Sequence, residues 1–345
     1  MPTKLNDFEV RFRVRSFAKN RNVKKIIACL LFAQISFAQT VYPTLGKIIA
    51  NDASFSQIVS PDAKIEVLGS GFVWAEGPVW VSDDDYLLFS DPRQNAIFKW
   101  NEKEGITTWL KPSGYTGHGF YSDEPGSNGL LINQKGELVA CEQGDRRISR
   151  MKPDGGGKIT VADNFEGKPF NSPNDICEHS SGAYYFTDPP YGFQGMKDDP
   201  TDRTEVFGVY RVSPDGKVTR VVSNLKRPNG ILLSQDEKTL YVSQTDREAV
   251  IMSYPVKSDG SLGEGKIFFD LRPYKTAADG MKKDKSGNIF TGAGNGIMVI
   301  SPKGKLLGKI DTGVPTANCA FGDDGWLYIT AGKYVCRVKT LTSAR

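Results

Sequence analysis

Histidine is nearly missing from this chain of 345 residues, which has only His118 and His179. Neither sits beside a second metal-ligand side chain at zinc-site spacing, and two scattered imidazoles argue against a Ser-His-Asp triad. The strained GxSxG nucleophile elbow is missing as well. Cysteine is also scarce, with five residues and no CxxC pair. Removal of a leader would leave Cys141, Cys177, Cys319 and Cys336. An exported protein could bridge an even number, but their scatter reads as buried free thiols. The chain has no apolar run long enough for a bilayer span, and no long helical period after residue 60. Two apparent loop motifs fail on context. "GAGNG" (292–296) follows a β-run without opening a helix, and "KSDGSLGEG" lacks EF-hand spacing, so both read as hairpin turns.

Excess positive charge is missing too, once its location is considered. The whole chain carries +4, but its first 38 residues hold eight Lys or Arg against two acids. That surplus of six leaves the remainder at about −2, with no basic surface for nucleic acid or anionic lipid. The basic start reads as a leader, residues 1–38, containing a signal peptide. "RNVKK" (21–25) is the charged part, "IIACLLFAQISFA" (26–38) the apolar part, and "SFA" offers small residues for cleavage near Ala38. Export, to the periplasm or beyond, is therefore expected. Residues 39–60 read as a linker and 61–345 as one folded body.

What is abundant is turn chemistry. Thirty-six glycines and 19 prolines are spread along the chain, and "KPDGGG", "SPDGK", "SQDEK", "DKSGN", "SPKGK" and "GDDGW" punctuate it. Between them lie short runs such as "YLLFSD", "AYYFTD", "TLYVSQ", "NIFTGA" and "WLYITA". Runs of that length between Gly/Asp turns are strand and hairpin signals. A larger unit emerges when those strands are aligned. Some residues upstream of each stands a polar side chain followed by apolar ones: "AEGPVW", "GSNGLLI", "SPNDICE", "RPNGILL", "AADGMKK" and "PTANCAF". The polar letters are Glu76, Asn128, Asn174, Asn229, Asp279 and Asn318, at spacings of 52, 46, 55, 50 and 39. That is about the length of a four-stranded propeller blade. The predicted fold is all-β, a six-bladed β-propeller whose central channel binds a metal. Turn-capping explains any one of these letters, but explains poorly why six places in one register hold only Glu, Asn or Asp.

Converging carboxylates and amide carbonyls are hard oxygen donors. They suit Ca²⁺, with Mg²⁺, Mn²⁺ and Zn²⁺ as other candidates. At these residues the chain resembles the SMP-30/gluconolactonase (regucalcin-like) family of six-bladed propellers, in its bacterial gluconolactonase branch. The likeness runs over about residues 60–340 through "EGPVW", "SDPRQNAIFKW", "EPGSNGL", "NSPNDI", "YFTDPPYG", "RPNGI", "ADGM" and "NCAFG". The resemblance implies that Glu76, Asn229 and Asp279 bind the divalent metal, while Asn174 assists metal or substrate binding. It also implies an enzyme, a gluconolactonase-like carboxylic ester hydrolase. Such an enzyme would open glucono-1,5-lactone or a related aldonolactone to the aldonic acid, with the metal as Lewis acid and Asp279 as the catalytic base. By the same analogy, the loops "GYTGHGFYSDEPGSN" (114–128) and "DPPYG" (188–192) recognise substrate, which nominates His118, Asn128 and Tyr191 alongside Asn174. Asp175 either orients Asn174 or contacts substrate. For His118 a plain surface role competes. Animal members carry Arg two places before the third-blade Asn; here Ser172 stands there, so that contact does not transfer. Two alternatives stay open: hydrolysis of another lactone or a phosphotriester, and a non-enzymatic periplasmic propeller that binds Ca²⁺ or sugar. The expected partner is a small sugar lactone, with no nucleic acid, no membrane span, and a monomer or weak dimer.

Overall fold

The computed structural model describes residues 41–193 and 206–344. The leader and its cleavage point lie outside the described residues. The described chain forms six antiparallel blades, four of them built from four strands consecutive in sequence and two of them five-stranded, together with a small two-stranded sheet of Asn164–Phe165 and Lys168–Pro169. In the first blade, Glu76–Val81, Tyr86–Asp91, Ala96–Asn101 and Gly105–Leu110 pair in that order. The first strands of the blades are Glu76–Val81, Ser127–Ile132, Ile176–Glu178, Pro228–Leu233, Ala278–Lys283 and Asn318–Phe321. Each packs beside the next and the last returns to the first, closing a ring around one axis. This is the six-bladed propeller expected from the repeat.

Local chemistry explains the hairpins. In "DKSGN", Asp284 Oδ1 accepts the N–H of Ser286 and of Asn288, both at 2.9 Å, and Gly287 takes a φ of 79°. A side chain there would strain that left-handed turn, which is why the sequence writes Gly. Second strands such as Tyr86–Asp91 and Tyr184–Asp188 are buried along their whole length, because neighbouring blades cover both faces. Their unbroken apolar runs follow from that two-sided burial. Cys141, Cys319 and Cys336 are buried, Cys177 is half-buried, and all four are free thiols.

The segment read as a linker is largely built into the propeller. Thr44–Leu45 pairs with Ile65–Ser70, and Lys47–Ala50 pairs with Leu306–Asp311 as a fifth strand of the fifth blade. Between them and the next strand, the short 3-10 turn Ala53–Gln57 buries Phe55 completely. Ile65–Ser70 in turn pairs with Tyr334–Lys339, so the start of the chain completes the last blade. Arg337 locks that closure. Its Nε donates to Glu66 at 2.8 Å, its Nη1 donates to Glu102 at 2.7 Å, and its guanidinium lies 4.2 Å from the Trp326 ring centre. Arg337 is 8% exposed and links the N-terminal strand, the first blade and the last. Arg337→Ala is expected to lower stability by about 2 kcal/mol, because it leaves the partly buried Glu66 carboxylate unpaired and removes the guanidinium packed on Trp326. Urea unfolding of both forms measures it, with an unchanged midpoint as the contrary result.

Candidate functional site at the propeller axis

The six register letters stand at the start of the six inner strands, and neighbouring strands approach very closely there. A Cβ on Gly77 would lie 1.9 Å from Asn128 O, one on Gly230 2.1 Å from Asp279 O, and one on Gly280 2.0 Å from Asn318 Nδ2. Gly129 N–H donates to Asn174 O at 2.7 Å, and Gly280 N–H donates to Ala317 O at 3.0 Å. The glycine that follows Glu76, Asn128, Asn229 and Asp279 is thus a condition for closing the ring. Gly230→Ala drives a methyl into a backbone carbonyl, which cannot yield cheaply. The expected cost is about 2–3 kcal/mol by overpacking, together with displacement of Asp279. Thermal unfolding checks it, and a wild-type Tm would contradict the packing argument.

Asp175 occupies that glycine register in the third blade. It is 2% exposed, with Oδ1 accepting Ile176 N–H at 2.9 Å and Oδ2 facing Ile231 N–H at 3.4 Å. Its carboxylate therefore fills the gap a glycine would close elsewhere and ties the third blade to the fourth.

A second repeated device backs the ring. Thr187 Oγ1 donates to Asn229 O at 2.6 Å, Ser243 Oγ to Asp279 O at 3.1 Å, and Thr330 Oγ1 to Asn318 O at 3.2 Å, while Ser90 and Ser127 share a 3.0 Å hydrogen bond. These hydroxyls are the Ser or Thr near the end of "YLLFSD", "YYFTD", "LYVSQ" and "LYITA", a signal the sequence carries in plain view.

Among the described residues, neither of the two acids makes an ion pair. Glu76 Oε1 accepts from Trp74 Nε1 and Oε2 from Gly77 N, each at 3.1 Å. Burial first, then the charge of Asp279, holds Glu76 well above the usual carboxylate range despite those donors. Burial, with the charges of Asp175 and Glu124, pushes Asp279 up to about 7, opposed by the Asn229 amide and the Gly280 N–H. The amides of Asn128 and Asn174 are buried, and their side chains make no hydrogen bond among the described residues. Two mutually repelling carboxylates on inner strands, with buried amides at the same register of other blades, are the kind of hard oxygen donors that a divalent cation takes. Among the described residues no group of three His, Cys, Asp or Glu could hold a metal ion, so amides would have to complete the set.

Tyr191 reaches the same place. Its hydroxyl bonds Thr245 Oγ1 and the Asn229 side chain, and burial pushes it up to about 12. The 188–192 loop is held by Ser172, whose Oγ donates to Pro189 O at 2.5 Å and accepts Gly192 N–H at 3.0 Å. The residue in the place of the animal Arg is therefore a buried loop anchor. His118 does not join the ring: it is exposed on the 114–128 loop, where its backbone carbonyl meets Tyr115 Oη at 3.5 Å. Glu124 was not among the predicted residues. It pairs with Arg93 at 2.9 Å, and its charge is felt at Asp279. His179 is half-buried and bonds Ser181 Oγ at 2.9 Å within a hairpin.

Comparison with known proteins bears on this site. The SMP-30/gluconolactonase/LRE-like region matches residues 74–333. A gluconolactonase of Zymomonas mobilis is 39% identical over 312 residues, covering 87% of each chain. A pentonolactonase of Haloferax volcanii is 24% identical and covers 74% of this chain and 80% of its own. Among solved structures, a gluconolactonase from Xanthomonas campestris superposes with a TM-score of 0.78 at 29% identity, covering 88% of this chain and 98% of that one. A calcium-binding regucalcin from Agrobacterium tumefaciens shares the fold, with a TM-score of 0.66 at 18% identity and coverage of 81% and 94%.

Proposed function

Because the chain belongs to the SMP-30/gluconolactonase/LRE-like family, we propose that it hydrolyses a sugar lactone, glucono-1,5-lactone or a related aldonolactone, to the aldonic acid. Glu76, Asn174, Asn229 and Asp279 would hold a divalent cation, Ca²⁺ before Mg²⁺, Mn²⁺ or Zn²⁺. The observation that carries this reading is the pair of uncompensated acids, Glu76 and Asp279, at the axis.

When bound, the cation supplies Lewis acidity toward the lactone carbonyl. The protein's own groups do the rest. Asp279 takes a proton from the attacking water as its oxygen bonds to the carbonyl carbon. The ring C–O bond then breaks, and the same carboxyl returns the proton to the departing ring oxygen. Asn229 steadies Asp279 by donating to it. Tyr191, kept protonated by burial, stands at the rim as a hydrogen-bond donor. Asn128 and Asn174 present idle amides to substrate or cation. The leader supports a periplasmic setting.

Acid release from glucono-1,5-lactone, measured against spontaneous opening, tests the reading. Catalysed release abolished by EDTA and restored by Ca²⁺ is the expected result. Cation binding without turnover of any lactone in a panel would replace it with a binding propeller.

A further inference from the structure

Beside the channel mouth, on the face where the inner strands begin, lies a cavity of about 450 Å³. It is lined by the 92–95 turn and the 112–125 loop, with Arg93, Asn95, Tyr115, Phe120, Tyr121 and Asp123 on its walls. Its volume lies in the range of small-molecule sites, about 300–1,000 Å³.

The cavity is preformed. Asn95 Oδ1 accepts the N–H groups of Ser113, Gly114 and Tyr115 at 3.0, 2.9 and 3.2 Å. Asp145 accepts the N–H and hydroxyl of Thr116, both at 2.9 Å. Tyr115 and Tyr121 stack with centroids 4.9 Å apart and planes at 26°, closing the base of the loop. At its tip Phe120 is 74% exposed, an aromatic face with no core to fill. Asp123 is exposed and, among the described residues, makes no hydrogen bond or ion pair. An open aromatic face beside a free carboxylate matches a pyranose, which offers a C–H face for stacking and vicinal hydroxyls for an acceptor. The wall loop runs directly into the inner strand Ser127–Ile132, where Ser113 Oγ accepts the Ser127 N–H at 3.0 Å, so the cavity adjoins the ring.

We propose that this cavity is a second sugar subsite, which takes the glycosyl unit of a lactone built on a disaccharide. The proposal rests on the lactone-hydrolase reading and names its substrate class: glycosyl-aldonolactones in preference to single-sugar lactones. Reaction occurs at the ring; the subsite contributes binding of the non-reacting unit.

The test compares glucono-1,5-lactone with cellobiono-, maltobiono- and lactobiono-1,5-lactone. At least one disaccharide lactone is expected to show a KM about tenfold lower, the scale of one stacking contact plus one charge-assisted hydrogen bond. Phe120→Ala and Asp123→Asn should erase that advantage and leave kcat, and both constants for the single-sugar lactone, unchanged. KM values no lower for all three disaccharide lactones, or equal shifts for both substrate classes in Phe120→Ala, would overturn the subsite. If no lactone is hydrolysed, the proposed function fails by itself. The subsite is then read by calorimetry with the three stable disaccharide aldonates. Binding weakened by Phe120→Ala supports it, and absence of binding by all three overturns it.

Discussion

Asp279→Ala is expected to reduce catalysed opening of glucono-1,5-lactone by about 10³-fold, within the range for loss of a positioned acid–base group. The size follows from placement. Asp279 is held among Asn229, Gly280 and two further acids and sits up to about 7, where it can both accept and return a proton near neutral pH. Asp279→Asn separates two roles of this side chain. It keeps one oxygen donor toward the axis but cannot carry a proton, so kcat should fall nearly as far while cation affinity falls less than in Asp279→Ala. His118→Ala, on the exposed loop and away from the ring, should change kcat/KM by less than about twofold. Initial rates of acid release for the three variants read all of this. Comparable losses in Asp279→Asn and His118→Ala would remove Asp279 from its special place.

The second large effect concerns cation removal and its dependence on pH. In the cation-free protein, burial and mutual repulsion raise Glu76 and Asp279 above their unfolded values. An acid whose folded pKa is raised binds more protons folded than unfolded, so its contribution to stability falls as pH rises from about 4 through about 7. A cation reverses that cost by compensating both charges, and gains most where both are ionised. Chelation should therefore lower Tm by about 5 °C at pH 8, the scale of saturating a site at about a hundred times its Kd in a protein of this size. At pH 5 the acids already hold their protons, and chelation should change Tm little. Glu76→Gln should remove the pH 8 difference. Differential scanning fluorimetry with and without EDTA at both pH values measures it; an equal shift at pH 5 and pH 8 would contradict the assignment of these two acids.

Much of this arrangement was legible in the sequence because a propeller writes its plan locally. Four strands and their turns recur within some 50 residues, so the register of Glu76, Asn128, Asn174, Asn229, Asp279 and Asn318 could be aligned without tertiary information. What escaped was pairing between distant stretches. Lys47–Ala50 is a short apolar piece whose partner, Leu306–Asp311, lies at the other end of the chain, so nothing nearby marks it as a strand. Asp175 was readable as an odd letter, but its meaning needs Ile231, which a different blade brings beside it. Glu124 looked like one more polar residue of a Gly-rich loop until Arg93 was placed against it. The Ser and Thr that back the ring were a missed chance, since they stand in the same repeats as the acids and amides.

Titration calorimetry of Ca²⁺ into the EDTA-stripped protein at pH 8 bears most directly on the converging donors. One site per chain is expected, lost in Glu76→Gln and Asp279→Ala alike and retained in His118→Ala. Absence of heat from Ca²⁺, Mg²⁺, Mn²⁺ and Zn²⁺, with lactone opening undiminished by EDTA, would contradict it.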